Sequence, residues 1–206
     1  MKSRTTMLLV AGFLLPMATG AAEQSMSSPM RDADLAPVYA HHSFDASINQ
    51  VWETWTTAAG LRTFFSPDAA VDPQVDGEYS ILFYPDNPAG SRGAEGMRII
   101  AFEPPTRFVI TWNHPPRFKT LKGQRALVEY RFQVRGDGGT DMQVKHFGWG
   151  QNEESARSRE YFDGAWAAVL KRLDYRYEHG PLDWENVPKH LMYSGPTAAA
   201  SEGAEY

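Results

Sequence analysis

The chain has 206 residues, 42% hydrophobic and 22% charged, and its 13% aromatic content (six Trp, nine Tyr, eleven Phe) is enough for a large core or an apolar cavity. Whole-chain disorder is therefore excluded. Twenty Lys plus Arg against 25 Asp plus Glu leave a net charge of −5, without the basic excess that binding a phosphate backbone requires, so no nucleic-acid partner is expected. The absence of cysteine excludes disulfides, a thiol nucleophile, a thiolate-held metal, lipid attached to an N-terminal Cys and thiol redox chemistry.

Lys2 and Arg4 precede an apolar run from Met7 to Met17, and the small residues Ala18 to Ala22 follow. That order is the pattern of a secretory signal peptide over residues 1–22, and the run is too short to span a membrane, which takes about 20 apolar residues. Cleavage there removes two bases and no acid, so 18 bases face 25 acids and the mature chain carries −7. A periplasmic or secreted location is expected, with no integral membrane span once the signal is gone. Residues 23–37 mix Ser, Pro and charge without hydrophobic period, which predicts a flexible leader.

Residues 38–44 read as a short strand. Ser47 caps a helix over 48–57, where Ile48, Val51, Trp52 and Trp55 fall on one stripe. Gly60 is expected to break it, with one further helical turn over 61–65 before Pro67. From Ala69 the period drops to two. Tyr79, Ile81 and Phe83 alternate with Glu78, Ser80 and Leu82, and Phe108, Ile110 and Trp112 alternate with Val109, Thr111 and Asn113. Val128, Tyr130, Phe132 and Val134 share one face of a strand whose other face, Glu129, Arg131, Gln133 and Arg135, is expected to be wet. The glycine-rich turn 136–139 predicts a tight hairpin into residues 140–147, where Met142, Val144 and His146 point inward. A long amphipathic helix follows over 153–179, with Phe162, Ala165, Trp166, Val169, Leu170, Leu173 and Tyr177 on one face and Arg157, Arg159, Lys171, Arg172 and Glu178 on the other. Gly180-Pro181 stops it, and residues 181–206 read as a partly disordered tail.

This order is α+β: a strongly curved antiparallel sheet whose apolar concave face is covered by the long C-terminal helix, with room between them for a ligand. The segments Ala46-Ser47-Ile48-Asn49-Gln50-Val51-Trp52-Glu53-Thr54-Trp55-Thr56, Val75-Asp76-Gly77-Glu78-Tyr79, Phe102-Glu103-Pro104-Pro105-Thr106-Arg107-Phe108, Thr111-Trp112, Gly139-Thr140-Asp141-Met142, His146-Phe147-Gly148-Trp149 and Gly164-Ala165-Trp166 through Leu173 are similar to the START-related SRPBCC superfamily. Within it the chain resembles the branch of the C-terminal domain of activators of heat shock protein 90 ATPase, also polyketide cyclase-like. The resemblance implies a helix-grip fold, START-like and Bet v 1-like, over residues 38–180. It also implies an internal hydrophobic cavity and no fixed catalytic residue. The superfamily includes lipid carriers, hormone binders and cyclases. A signal peptide would separate this protein from a cytosolic chaperone, so no chaperone partner is expected.

Within that frame Tyr79, Phe83, Trp112, Tyr130, His146, Trp149, Phe162 and Trp166 are the candidate wall of a ligand cavity, and His114 and Arg117 the candidate mouth. His146 is the weak candidate for acid–base catalysis, since an imidazole titrates near neutral pH. Arg117, Lys119, Lys122 and Arg125 place four bases without an acid in one loop, and residues 84–95 form a Gly- and Pro-rich loop that is either a lid or a plain hairpin connection. The histidines show no i, i+4 pair and no HExxH, so neither a metal nor any other cofactor is expected. No Gly-x-Ser-x-Gly turn is present. The expected function is binding of a small hydrophobic molecule without catalysis. The alternatives are a cyclase- or hydrolase-like enzyme, using His146 with Tyr130, and an envelope protein-interaction module.

Overall fold

The computed structural model describes residues 35–193. The expected signal segment and residues 194–206 lie outside the described residues, as does most of the leader. Its last residues are tied down: Leu35 N–H donates to Gly150 O, and Arg159 Nε donates to Ala36 O at 2.6 Å.

Strand β1 (Val38–Phe44) leads into α1 (Ile48–Thr56), which starts where the sequence places it. Ser47 Oγ accepts from Gln50 N–H while Gln50 Oε1 accepts from Ser47 N–H, a reciprocal pair that satisfies two otherwise orphaned helix donors. The break after α1 falls at Thr57 rather than at Gly60. Thr57 adopts extended backbone and its hydroxyl caps α2 (Ala58–Arg62), so Gly60 sits inside the second helix. There a Cβ on Gly60 would lie 2.5 Å from Thr54 O, and only glycine fits where α1 and α2 abut.

Five antiparallel strands form the main sheet in the order β1, β8 (Thr140–Phe147), β7 (Arg125–Val134), β6 (Arg107–Asn113), β5 (Ile99–Glu103). A smaller sheet pairs β2 (Asp68–Val71), β3 (Tyr79–Leu82) and β4 (Gly93–Ala94). Tyr79 N–H to Met97 O and Ile99 N–H to Gly77 O join the two sheets, which carries the curvature round beyond β5. The loop between β3 and β4 is a hairpin connection, held by the Arg92–Glu95 pair and by Asn113 Nδ2 donating to Gly93 O at 2.9 Å. All four residues of β3 are buried, so its period of two is not an in-out alternation. Ser80 is accommodated inside because its hydroxyl donates to Glu78 and accepts from Gly96 N–H.

Helix α3 (Glu153–His179) lies along the concave face. Asn152 caps its start, accepting from Ser155 N–H, and Gly180 at φ 93 ends it. Phe162, Trp166, Val169 and Leu173 are buried in the core beneath the sheet. Each such side chain contributes roughly 1.5–3 kcal/mol, which fixes the helix in place. Residues 181–193, the described part of the expected tail, are packed onto the fold. Leu182 and Leu191 are buried, Leu182 N–H donates to Thr63 O, and Tyr193 OH donates to Tyr161 O, so the folded unit runs to Tyr193.

On β7 the predicted faces hold with two corrections. Val134 is 55% exposed, because it lies past Arg131, the last residue with a β6 partner. Glu129, on the face expected to be wet, is buried where Arg107 and Arg131 close over it.

Candidate functional site

The chain's interior is an aromatic column between the main sheet, α1 and α3. Trp52 stands edge-on to Phe108 and Phe132 at one end. Tyr130 stacks on Phe108 with centroids 4.3 Å apart and meets Trp55 at 5.0 Å. Trp166, on α3, spans the middle, touching Tyr130, Trp112 and Phe65. At the far end His146 lies 4.1 Å from Trp149 and 4.6 Å from Phe162. Of the eight candidate wall residues, Tyr79, Trp112, Tyr130, His146, Trp149, Phe162 and Trp166 are buried, and Phe83 is half-buried beside Phe65. The fold brings them together, with ring against ring. Two open concavities are lined by none of them; the larger, about 430 Å³, lies at the polar outer face of the sheet and includes His41, Arg107, Arg131 and Gln143.

Polar atoms inside this column are unevenly satisfied. Trp166 Nε1–H donates to His146 Nδ1 at 3.1 Å. An imidazole whose Nδ1 accepts carries its proton on Nε2, so His146 is a neutral ring that offers an N–H to the interior. Burial, reinforced by His114, holds it well below the usual imidazole range. A second proton would have to displace the Trp166 bond, so His146 is not a base near neutral pH. Its Nε2 has no partner, and neither do Trp55 Nε1, Trp149 Nε1 or Tyr130 OH. Tyr79 OH, by contrast, donates to Trp55 O at 2.8 Å. Burial raises both phenols well above their usual range, with Tyr79 adding to the effect at Tyr130.

The candidate mouth divides. His114 is buried rather than exposed, its Nδ1 2.9 Å from Ser158 Oγ on α3. Burial, then the charge of Arg125, lowers its pKa. Arg117 is exposed and lies over the Phe118 and Tyr161 rings. The basic loop is moored to α3, with Glu154 accepting from both the backbone N–H of Thr120 at 2.7 Å and its hydroxyl. Glu154 therefore holds the loop as well as standing in the first turn of the helix. Trp55 and Ser158 are the interior residues that sequence reasoning passed over as site candidates. Ser158 carried a signal: it stands four and eight residues before Phe162 and Trp166, a polar residue on the apolar stripe.

A family model described as "Activator of Hsp90 ATPase homolog 1-like protein" matches residues 45–178. The chain belongs to this family. Its helix-grip architecture recurs in solved structures: a protein of Mesorhizobium loti, MLL2253, at 16% identity and a TM-score of 0.56, covering 71% of this chain and 99% of that one; CalU16 from Micromonospora echinospora, at 20% and 0.52, covering 74% and 84%; and the Aha1 dimer from Colwellia psychrerythraea, at 16% and 0.52, covering 71% and 98%. No curated protein matches the chain. The family match fixes the branch that the sequence resembles, and these structures agree with it in fold. Among the described residues no helix is long and apolar enough to cross a membrane, and no group of His, Asp and Glu is placed to hold a metal.

Proposed function

We propose that this member of the family is an exported binding protein that takes a small, largely apolar, uncharged molecule bearing acceptor oxygens into the aromatic interior between the main sheet and α3. The observation that carries the reading is the set of four unpaired polar groups, Trp55 Nε1, Tyr130 OH, His146 Nε2 and Trp149 Nε1. A buried donor without a partner costs about 1–3 kcal/mol, so four in one core call for acceptors. Three of the four can only donate, and the phenol can do so as well, so the matching ligand supplies carbonyl, ether or hydroxyl oxygens. The surrounding rings present mostly apolar faces, which fits a flat carbon skeleton. The rings touch one another, so entry requires them to part. The basic loop 114–125 and its Glu154 tether are the element that would yield first.

Catalysis by His146 is the weaker reading because its proton sits on Nε2 and its Nδ1 is engaged. A second reading, acyl transfer, draws on the Ser158–His114 pair, a hydroxyl 2.9 Å from an imidazole that burial keeps neutral. Covalent labelling of Ser158 by a fluorophosphonate would favour it. Export would keep the protein from the cytosolic chaperone its family is named for.

Nitrogen-15 NMR tests the binding reading. The indole N–H signals of Trp55 and Trp149 and the His146 Nε2–H signal are compared in the mature protein as purified from its host and after extraction with organic solvent. Binding predicts that these signals move on extraction. Unchanged signals would mean that the ring faces alone satisfy the donors.

A further inference from the structure

Two more buried polar atoms lack partners, and both lie away from the aromatic interior: Arg172 Nε and Arg176 Nε on α3. The sequence places Arg172 on the helix's solvated face, but both arginines are only half-exposed. Four residues apart, they project from one side of α3 on successive turns, with Cβ atoms about 5–6 Å apart. Arg172 has its guanidinium carbon 5.9 Å from the Trp184 ring, and Trp184 is anchored by its own Nε1–H to Arg62 O at 2.6 Å. Arg176 lies over the Tyr177 ring at 4.6 Å, and Tyr177 OH is 3.4 Å from Thr54 Oγ1. Among the described residues neither arginine joins an ion pair, although the chain as a whole has more acids than bases. Burial pushes the Arg172 guanidinium down to about 10, which leaves it charged at neutral pH. Other half-buried arginines have acceptors: Arg107 holds Glu103 and Glu129, Arg135 holds Asp45 and Asp137, and Arg159 donates to Ala36 O and Pro37 O.

Two like charges on successive turns repel, and each guanidinium presents a planar fork of donors suited to a bidentate oxyanion. A carboxylate would neutralise one of them. A phosphate group has the charge and the oxygens for both, and the Trp184 ring gives it an apolar flank. We infer that Arg172 and Arg176, flanked by Trp184, form a phosphate-binding site on the flank of α3 that carries Trp184 and Tyr177, separate from the aromatic interior and independent of what the interior binds.

Inorganic phosphate is titrated into the full mature chain at constant ionic strength, with chloride as the reference, while the arginine Nε–H signals are followed by NMR. The site predicts that phosphate moves the Arg172 and Arg176 signals saturably and that Arg176→Gln weakens binding about tenfold, the effect of one lost charge-assisted bond at ~1.4 kcal/mol per decade. Arg172→Gln, read the same way, guards against one variant failing to fold. Co-sedimentation with phosphatidylglycerol vesicles diluted in phosphatidylcholine separates the sources. Vesicle binding that phosphate displaces and both variants weaken identifies a lipid headgroup. Phosphate binding without vesicle binding identifies free phosphate. No shift beyond that of chloride together with no vesicle binding overturns the site, as does binding of either probe that survives both substitutions unchanged.

Discussion

Trp166 decides the chemistry of His146 by occupying its Nδ1, and the rest follows from the tautomer. The unfolded imidazole takes up a proton below about 6.5, the ordinary value for the residue, whereas the folded one refuses it. His114 behaves alike. The folded pKa of each is depressed, so their contribution to stability is complete above pH 6.5 and is lost as the pH falls, at a slope approaching about 1.4 kcal/mol per pH unit for His146, with His114 adding in the same sense. Urea denaturation of the wild type between pH 7 and pH 5 is therefore expected to show falling stability, and His146→Leu to flatten that slope. Equal slopes would mean that His146 is protonated in the folded chain. Glu129 has the opposite sense. Burial pushes its carboxyl up, but the hydrogen bonds from Arg107 Nε at 2.6 Å and Arg131 Nη2 at 2.7 Å outweigh it and hold the pKa below 4.5. Its stabilisation is present above pH 4.5 and disappears below. Glu129→Gln is expected to cost about 1–3 kcal/mol at pH 7, with the difference closing as the solution is acidified through the folded pKa; a neutral effect in urea at pH 7 would show that the two arginines are held by solvent instead.

Among the elements, the C-terminal segment makes the sharpest departure from the reading of the sequence. Pro and Gly after α3 and the low-complexity end suggest fraying, yet Leu182 and Leu191 are buried and Trp184 is tied to α2. Gly164 shows the fit, since a Cβ there would stand 2.5 Å from Tyr193 OH. A chain ending at Gly180 is expected to lose about 3 kcal/mol or more relative to one ending at Tyr193, the burial of two leucines, measured by urea denaturation. Equal midpoints would contradict the packing. Where hydrophobic period was unbroken the elements were legible: β1 and α3 lie over the predicted residues, and Met142, Val144 and His146 all point inward. What escaped was set by contacts that hydrophobic period does not carry. The Thr57 cap moved the helix break, and the end of β6 left Val134 uncovered.

At the scale of the molecule, the interior set was legible as a set because alternation and helical spacing each point side chains to one side. Which partners meet was not, because nothing in the spacing brings Trp166 to His146 or Ser158 to His114 across 20 and 44 residues. Nor does composition distinguish a satisfied indole from an orphaned one. Trp55 reads as an ordinary core residue until its unpaired Nε1 is seen. The central claim, an interior that supplies donors to a small apolar acceptor, is tested most directly by native mass spectrometry of the protein purified from its own host. The account predicts a mass above that of the polypeptide, from an uncharged, oxygen-bearing molecule of largely carbon skeleton that is released on denaturation. A single species at the polypeptide mass, whose Trp55, Trp149 and His146 N–H signals are those of the solvent-extracted protein, would contradict it.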